Sequence, residues 1–278
     1  MDLDEITYAT RDGVGHIVLD RPDQLNAISG RPGGMRDQVV WALEQAEADE
    51  TVGCVVVSGA GRAFSGGGDI TGNARRERPV DDERFIEAVD RFHGRLRASA
   101  VPIVAAVHGY CLGAAVSLVA SCDLVIAADG ARFGYPEGRM GLVGATAVVP
   151  VVGRQWAKFL ILTGELISAR QACAIGLVLT VEPDDRLAER THDLAARLAR
   201  MPRDAALLNR RAIDAVADAG GDAAGRIAAV AADTVTASMA AHATAPDGRT
   251  FRSIIDDEGM DGLKAARQAQ YHAPWLAD

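Results

Sequence analysis

Two glycine clusters each follow a short apolar run. Val55-Val56-Val57 leads to Phe64-Ser65-Gly66-Gly67-Gly68-Asp69, and Val104-Ala105-Ala106-Val107 leads to His108-Gly109 and on to Leu112-Gly113-Ala114. Glycine lets the main chain approach a ligand closely and adopt positive φ. The first turn of a helix leaves N–H groups unbonded, with positive potential. Two such loops can aim two N–H donors at one oxygen, which is what stabilising an enolate or oxyanion requires. Other readings compete. Gly59-x-Gly61 begins like a dinucleotide loop, but Phe64 stands where the third glycine belongs. Ala63-Phe64-Ser65-Gly66-Gly67 approaches a nucleophile elbow, but Ala63 replaces its first glycine. For either cluster alone, plain turns would suffice. His93 and His108 have no partners at metal-ligand spacing and are expected to be structural, as is Asp123.

The elements that must carry these loops can be read from the apolar pattern. Ile6 to Asp20 predicts two strands joined at Asp12-Gly13, the second stopped by Pro22. Met35 to Ala48 predicts a helix with Val39, Val40, Leu43 and Ala46 on one side. Val52 to Ser58, Val101 to Val107 and Asp123 to Ala128 are near-continuous apolar runs, which fit strands covered on both faces. Asp82 to Ala98 and Leu112 to Ala120 predict helices between them. Thr71 to Asp82, with Arg75, Arg76, Arg78 and Pro79, is expected to be a mobile segment. Beyond Arg154 the pattern turns mainly helical. Ser168 is a candidate N-cap for Ala169 to Ala174, and Gly176 a candidate stop. Asp184 to Arg200, Asp204 to Ala217 and Asp222 to Ala243 are alanine-rich and periodic. The expected architecture is an α/β core over 1–186 and an α-helical part over 187–278.

Composition sets limits on function. The chain has 278 residues, 49% of them apolar, enough for a sizeable core. The net charge of −9 argues against nucleic-acid binding, though a few local arginines suffice for a phosphate. Cys54, Cys111, Cys122 and Cys173 form no C-x-x-C pair and are expected to be reduced thiols of a cytoplasmic protein. The mixed, acidic Met1 to Arg11 lacks the pattern of a signal peptide. Val101 to Ala128 is too interrupted by polar residues for a membrane span, which takes about 20 apolar residues.

Five segments together resemble the crotonase (enoyl-CoA hydratase/isomerase) family. They are Arg21-Pro22-Asp23-Gln24-Leu25-Asn26-Ala27, Gly61 to Ile70, Val107 to Asp123, Ala131 to Leu142, and Leu162-Thr163-Gly164-Glu165 with Ala169, Ala172, Gly176, Leu177 and Val178. The match runs in the family's order from about residue 5 to 270. The resemblance implies a crotonase-like fold, a ββα-unit core with an appended helical part, acting on acyl-CoA thioesters. It implies that the N–H groups of Gly68 and Ala114 are the two oxyanion donors. The family's triple glycine is Gly113-Ala114-Ala115 here. Hydratases of the family hold one water between two glutamates. One of these positions is Glu137 and the other is Ser117, which cannot act as a base near neutral pH. By the same resemblance, CoA is expected along Gln24, Leu25, Ala27, Gly66, Gly67, Asp69, Ile70 and Gly113, with Arg62, Arg75 and Arg76 as candidate phosphate partners.

No metal and no separate cofactor is implied, since coenzyme A is part of the substrate, and a homotrimer or homohexamer is expected through the C-terminal helices. A single carboxylate suits a proton shuttle between carbons, so Δ3-Δ2 isomerisation is chemically easier than hydration. Another CoA-ester reaction, a hydrolase or decarboxylase with Ser117 positioning substrate or water, is an alternative. A non-catalytic acyl-CoA-binding relative is a third. The stretch Gly141 to Thr146 departs from the family's "G-x-x-P-G-x-G-G" run, which leaves the acyl pocket's wall unassigned.

Overall fold

The computed structural model describes residues 1–70, 78–142, 144–271 and 273–276. Arg75 and Arg76 lie outside the described residues, as does most of the segment expected to be mobile. The chain opens with the antiparallel pair β1 (Ile6–Arg11) and β2 (Val14–Leu19), turned at Asp12-Gly13 with both residues at positive φ. Helix α1 (Met35–Ala48) then returns the chain to β3 (Cys54–Gly59), parallel to β2. Helix α2 (Pro79–Arg97) leads to β4 (Ile103–Val107), and α3 (Ala114–Val119) to β6 (Leu124–Ala128), with β5 (Tyr110–Leu112) between β4 and α3. After β7 (Arg132–Gly134) come α4 (Val149–Thr163), β8 (Leu166–Ser168), α5 (Ala169–Ala174) and β9 (Thr180–Glu182). The chain ends in α6 (Leu187–Ala199), α7 (Arg203–Ala219), α8 (Asp222–Ala240) and α9 (Phe251–Gln268).

Nine strands form two sheets among the described residues. The large one has the order β1-β2-β3-β4-β6-β9 and is parallel from β2 onward. Side chains alternate across it. Ile17, Leu19, Val55, Val57, Ile103, Ala105 and Val107 face the main core with α1 and Phe64. Val14, Cys54, Val56, Val104, Ala106 and Ile126 face the other way, onto Leu187 and Ala195 of α6. Strands buried on both faces explain the unbroken apolar runs of the sequence. Helix α6, the first of the expected C-terminal helices, is thus packed on the sheet of the core.

The small sheet, β5-β7-β8, was not foreseen, because three-residue strands are too short to show alternation. It also explains why α3 starts at Ala114 rather than Leu112. Tyr110 to Leu112 is drawn out as a strand against Arg132 to Gly134 on one side and bridges Ser65 through Cys111 on the other. Ser168 caps α5 as expected, its hydroxyl accepting from Gln171 N–H at 3.3 Å. Asp123 is structural: its carboxylate accepts from Ile103 N–H at 2.7 Å and pairs with Arg210 of α7. Helix α8 packs along α2, where Ser238 donates to Asp82 at 2.8 Å. No helix among the described residues is long and apolar enough to cross a membrane.

Candidate active site

The first glycine loop is tied down by the residues just before α1. Asn26, fully buried at positive φ, donates its amide to the carbonyls of Ala60 and Ala63 at 2.8 and 2.9 Å and reaches that of Phe64. Ser65 donates to Asn26 O at 2.7 Å and accepts from Gly67 N–H. Arg21 donates to Ala27 O at 2.7 Å and pairs with the buried Asp69 at 3.0 Å. Asp69 is therefore held by a guanidinium. Arg21 and Asn26 stand in the Arg21-Pro22-x-x-x-Asn26 segment but were assigned no role from sequence. Their signal was that one segment holds a fork donor and a turn-forming amide.

The second loop is zipped onto the first. Leu112 N–H donates to Ser65 O, and Ser65 N–H to Tyr110 O. Ile28 N–H donates to Gly67 O, and Ile28 O accepts from Asp69 N–H, so Gly68 is the residue whose own N–H points away from this pairing. Gly67 has φ +103, and a Cβ there would meet Leu112 O at 2.7 Å and Ala114 N at 3.7 Å. A Cβ on Gly68 would meet that of Ala114 at 3.8 Å. The two expected donors therefore lie side by side. Among the described residues neither the Gly68 nor the Ala114 N–H has an acceptor. Ala114 is the first residue of α3, so its N–H belongs to the unbonded first turn. Gly68 is exposed and Ala114 half-buried.

Glu137 closes the constellation. It sits in a 3-10 turn, Pro136–Met140, and its carboxyl group abuts Gly113: a Cβ there would lie 2.4 Å from Oε1. Gly113 holds φ +54, open to glycine and costly for other residues. Burial pushes the Glu137 carboxyl up to about 7. Its own backbone N–H and the Arg267 guanidinium of α9 act in the opposite direction. Arg267 was not foreseen from sequence. Its Nε is buried without a partner.

Ser117 is buried and engaged on both sides. It donates to Gly144 O at 3.2 Å, so its 3.0 Å contact with the fully buried Tyr135 has the phenol donating. Gln24 is exposed, Leu25, Ala27 and Gly66 are half-buried, and Leu25 flanks Gly66. Ile70 packs with Leu142 on Met140, Phe251 and Leu263, placing α9 over the Glu137 turn. Arg62 is the exception. It lines a cavity with His16 and His192, on the sheet face turned away from the core. His108 holds Gly61 O at 2.9 Å, and buried His93 is pushed down to about 3 by desolvation. No group of three metal-ligating side chains occurs among the described residues.

The successive strand–helix units, the zipped glycine loops and the covering helices define a crotonase fold. An enoyl-CoA hydratase/isomerase of Xanthobacter autotrophicus matches it over 98% of this chain and 100% of that one, with a TM-score of 0.90 at 30% identity. The family model described as enoyl-CoA hydratase/isomerase matches residues 9–248, and the chain is an enzyme belonging to that family. It is 34% identical to a probable enoyl-CoA hydratase of Mycobacterium tuberculosis over 72% of this chain and 77% of that relative. It is 36% identical to the 1,2-epoxyphenylacetyl-CoA isomerase of Escherichia coli over 68% and 74%. It is 33% identical to the 2,3-dehydroadipyl-CoA hydratase of the same organism over 71% and 77%.

Proposed function

We propose that the enzyme shifts the double bond of an enoyl-CoA thioester, with Glu137 as its single acid–base group. The thioester carbonyl oxygen accepts from the N–H groups of Gly68 and Ala114. Negative charge that develops on this oxygen is met by two donors that need no reorganisation. Glu137 removes a proton from the carbon between the carbonyl and the alkene, giving a dienolate. It then returns the same proton at the far carbon. The reaction is balanced without water, redox partner or metal.

The observation that carries this reading is the Glu137 carboxyl set against Gly113, beside the proposed donor Ala114, while Ser117 is neither a base nor free; burial, which raises the carboxyl to about 7, supports it. A general base is most effective when its pKa lies near the working pH. Hydration by two carboxylates would need a second one where Ser117 stands. Hydration by Glu137 alone is the second reading, favoured by relatives whose names are hydratases. CoA would lie along Leu25, Ala27, Gly66 and Ile70, whose backbones border the donors. The exposed apolar side chains Leu208, Ile213 and Val216 of α7, with Ile227, Val235 and Met239 of α8, would form the contact surface of a homotrimer or homohexamer.

The deciding experiment assays purified enzyme with a 3-enoyl-CoA and with crotonyl-CoA. Conversion of the first to the 2-enoyl product, abolished by Glu137→Gln, is expected. Hydration of crotonyl-CoA at a higher kcat/KM would favour the second reading. Activity untouched by Glu137→Gln would overturn both.

A further inference from the structure

The sheet face turned away from the core is only half covered. Helix α6 seals Val14, Cys54, Val104 and Ile126. Toward the C-terminal ends of the strands the same parity brings His16, Val56, Ser58, Ala106 and His108 to a cavity of about 650 Å³. Small residues make the room. Val56 pairs directly with His16 in the sheet, Ala106 follows two positions after Val104 of the same row, and Gly59, Gly109 and Gly130 add no side chains to the lining.

Three polar atoms of residues lining this cavity are buried with no partner: His16 Nε2, His192 Nδ1 and Thr191 Oγ1. Thr191 is only 1% exposed. Unsatisfied buried polar atoms are few in native proteins and call for an explanation, and here half of the six found among the described residues gather at one place. The charge distribution is also specific. The His16 and His192 rings stack at 5.4 Å, and Arg11 and Arg62 line the same cavity. Arg62 has no ion pair among the described residues, and Arg11 has only a long 3.7 Å contact with Asp12. The acidic groups nearby are already engaged. Asp12 contacts His192 Nε2 at 3.3 Å, and Asp184 accepts from Gly130 N–H at 3.0 Å. Burial first, then the charges of His192 and Arg11, hold His16 below its ordinary range. An anion placed among these groups would reverse that repulsion.

We propose that this cavity is a second ligand site, taking a small oxyanion of phosphate or carboxylate class between Arg11, Arg62 and the His16–His192 pair. The oxyanion accepts from the guanidinium groups and from the imidazoles once a ring turns an N–H toward it. The Thr191 hydroxyl, itself without accessible surface, donates once the same movement uncovers it. The site lies on the opposite side of the sheet from Glu137 and does not depend on the reaction assigned there.

Histidine ring resonances of the full-length protein, followed by NMR during titration with inorganic phosphate, test this directly. Saturable shifts are expected at His16 and His192 and not at buried His93, with the titration midpoint of His16 moving upward. Arg11→Gln is expected to weaken binding about tenfold or more, the scale of a lost charge-assisted hydrogen bond. Thr191→Val is expected to raise the melting temperature without phosphate, by removing an unpartnered hydroxyl, and to shrink the increase that phosphate brings. Acetate in place of phosphate distinguishes the two ligand classes, since a phosphoryl site responds to phosphate alone and a carboxylate site to both. Three results would overturn the proposal: no saturation by about 50 mM phosphate, far above a millimolar Kd; an affinity unchanged in both variants; or shifts abolished by saturating CoA, which would make the cavity an arm of the CoA groove.

Discussion

The main chain at Gly113 and the carboxyl group of Glu137 share one space, such that a single methyl group on residue 113 would lie 2.4 Å from Oε1. Gly113→Ala is therefore a steric probe of the proposed acid–base group. The carboxyl would be displaced, and the positive φ adds backbone strain of about 1 kcal/mol. A displacement of about 1 Å in a reacting group can cost 10²-fold in rate. Steady-state kinetics should show kcat lowered by about that factor, while circular dichroism shows a folded protein. Full activity would mean that Glu137 does not act from its observed position.

Glu137 also makes stability and activity depend on pH in opposite senses. Its folded pKa is raised from 4.5 to about 7, so the folded state binds more protons than the unfolded chain between those values. Stability from this group is fully present below about 4.5 and is lost as pH rises through 7. The loss is roughly 3 kcal/mol from the two values. Glu137→Gln lacks this loss, and its melting temperature should exceed that of the wild type at pH 8 and match it near pH 4.5. Meanwhile kcat/KM of the wild type should rise with pH through about 7 as the basic form appears. A melting difference independent of pH would contradict the buried carboxyl.

Ala114→Pro deletes one proposed donor and little else. Proline is tolerated at the first position of a helix, where no internal bond is lost. The expected result is a fall in kcat of about 10²–10³-fold, the usual effect of losing one oxyanion donor. Ala114→Gly keeps the N–H and should stay within a few-fold of wild type. A proline variant as active as the glycine variant would remove Ala114 from the mechanism.

Ser117→Ala separates structure from catalysis. It leaves the phenol of Tyr135 without its acceptor in a fully buried place. The cost should be about 1–3 kcal/mol in denaturant unfolding, with isomerase activity within tenfold of wild type. A catalytic loss larger than that, at unchanged stability, would give Ser117 a chemical role.

Much of the fold is legible in the sequence alone, and the reason is physical. The buried strands β3, β4 and β6 need continuous apolar runs, and the glycines after them need positive φ or close approach, so both leave marks in residue type. Those marks pointed to the two loops, and the family resemblance then named Gly68, Ala114 and Glu137 within and beside them. What stayed hidden depends on distant contacts. Tyr135 looks like an ordinary aromatic residue until Ser117, 18 positions earlier, is placed against it. Arg267 looks like one more helical arginine until α9 folds over the Glu137 turn. Arg62 sits in the right motif, yet its loop presents it to the cavity behind the sheet. The three short strands carry no pattern of their own, because their partners create them.

Those short strands bear on how the molecule comes into being. The ladder that holds the two proposed donors side by side runs through Ile28, Gly68, Ser65, Cys111, Phe133 and Ile167, residues drawn from widely separated parts of the chain. No local stretch contains enough of it to form alone, and such long-range closures are slow steps in folding. A chain emerging from the ribosome can build α1 or the β1–β2 hairpin at once, but the ladder has no outer rung until residue 167 is free to pair. Catalytic competence is then a late event of synthesis, reached after most of the core already exists.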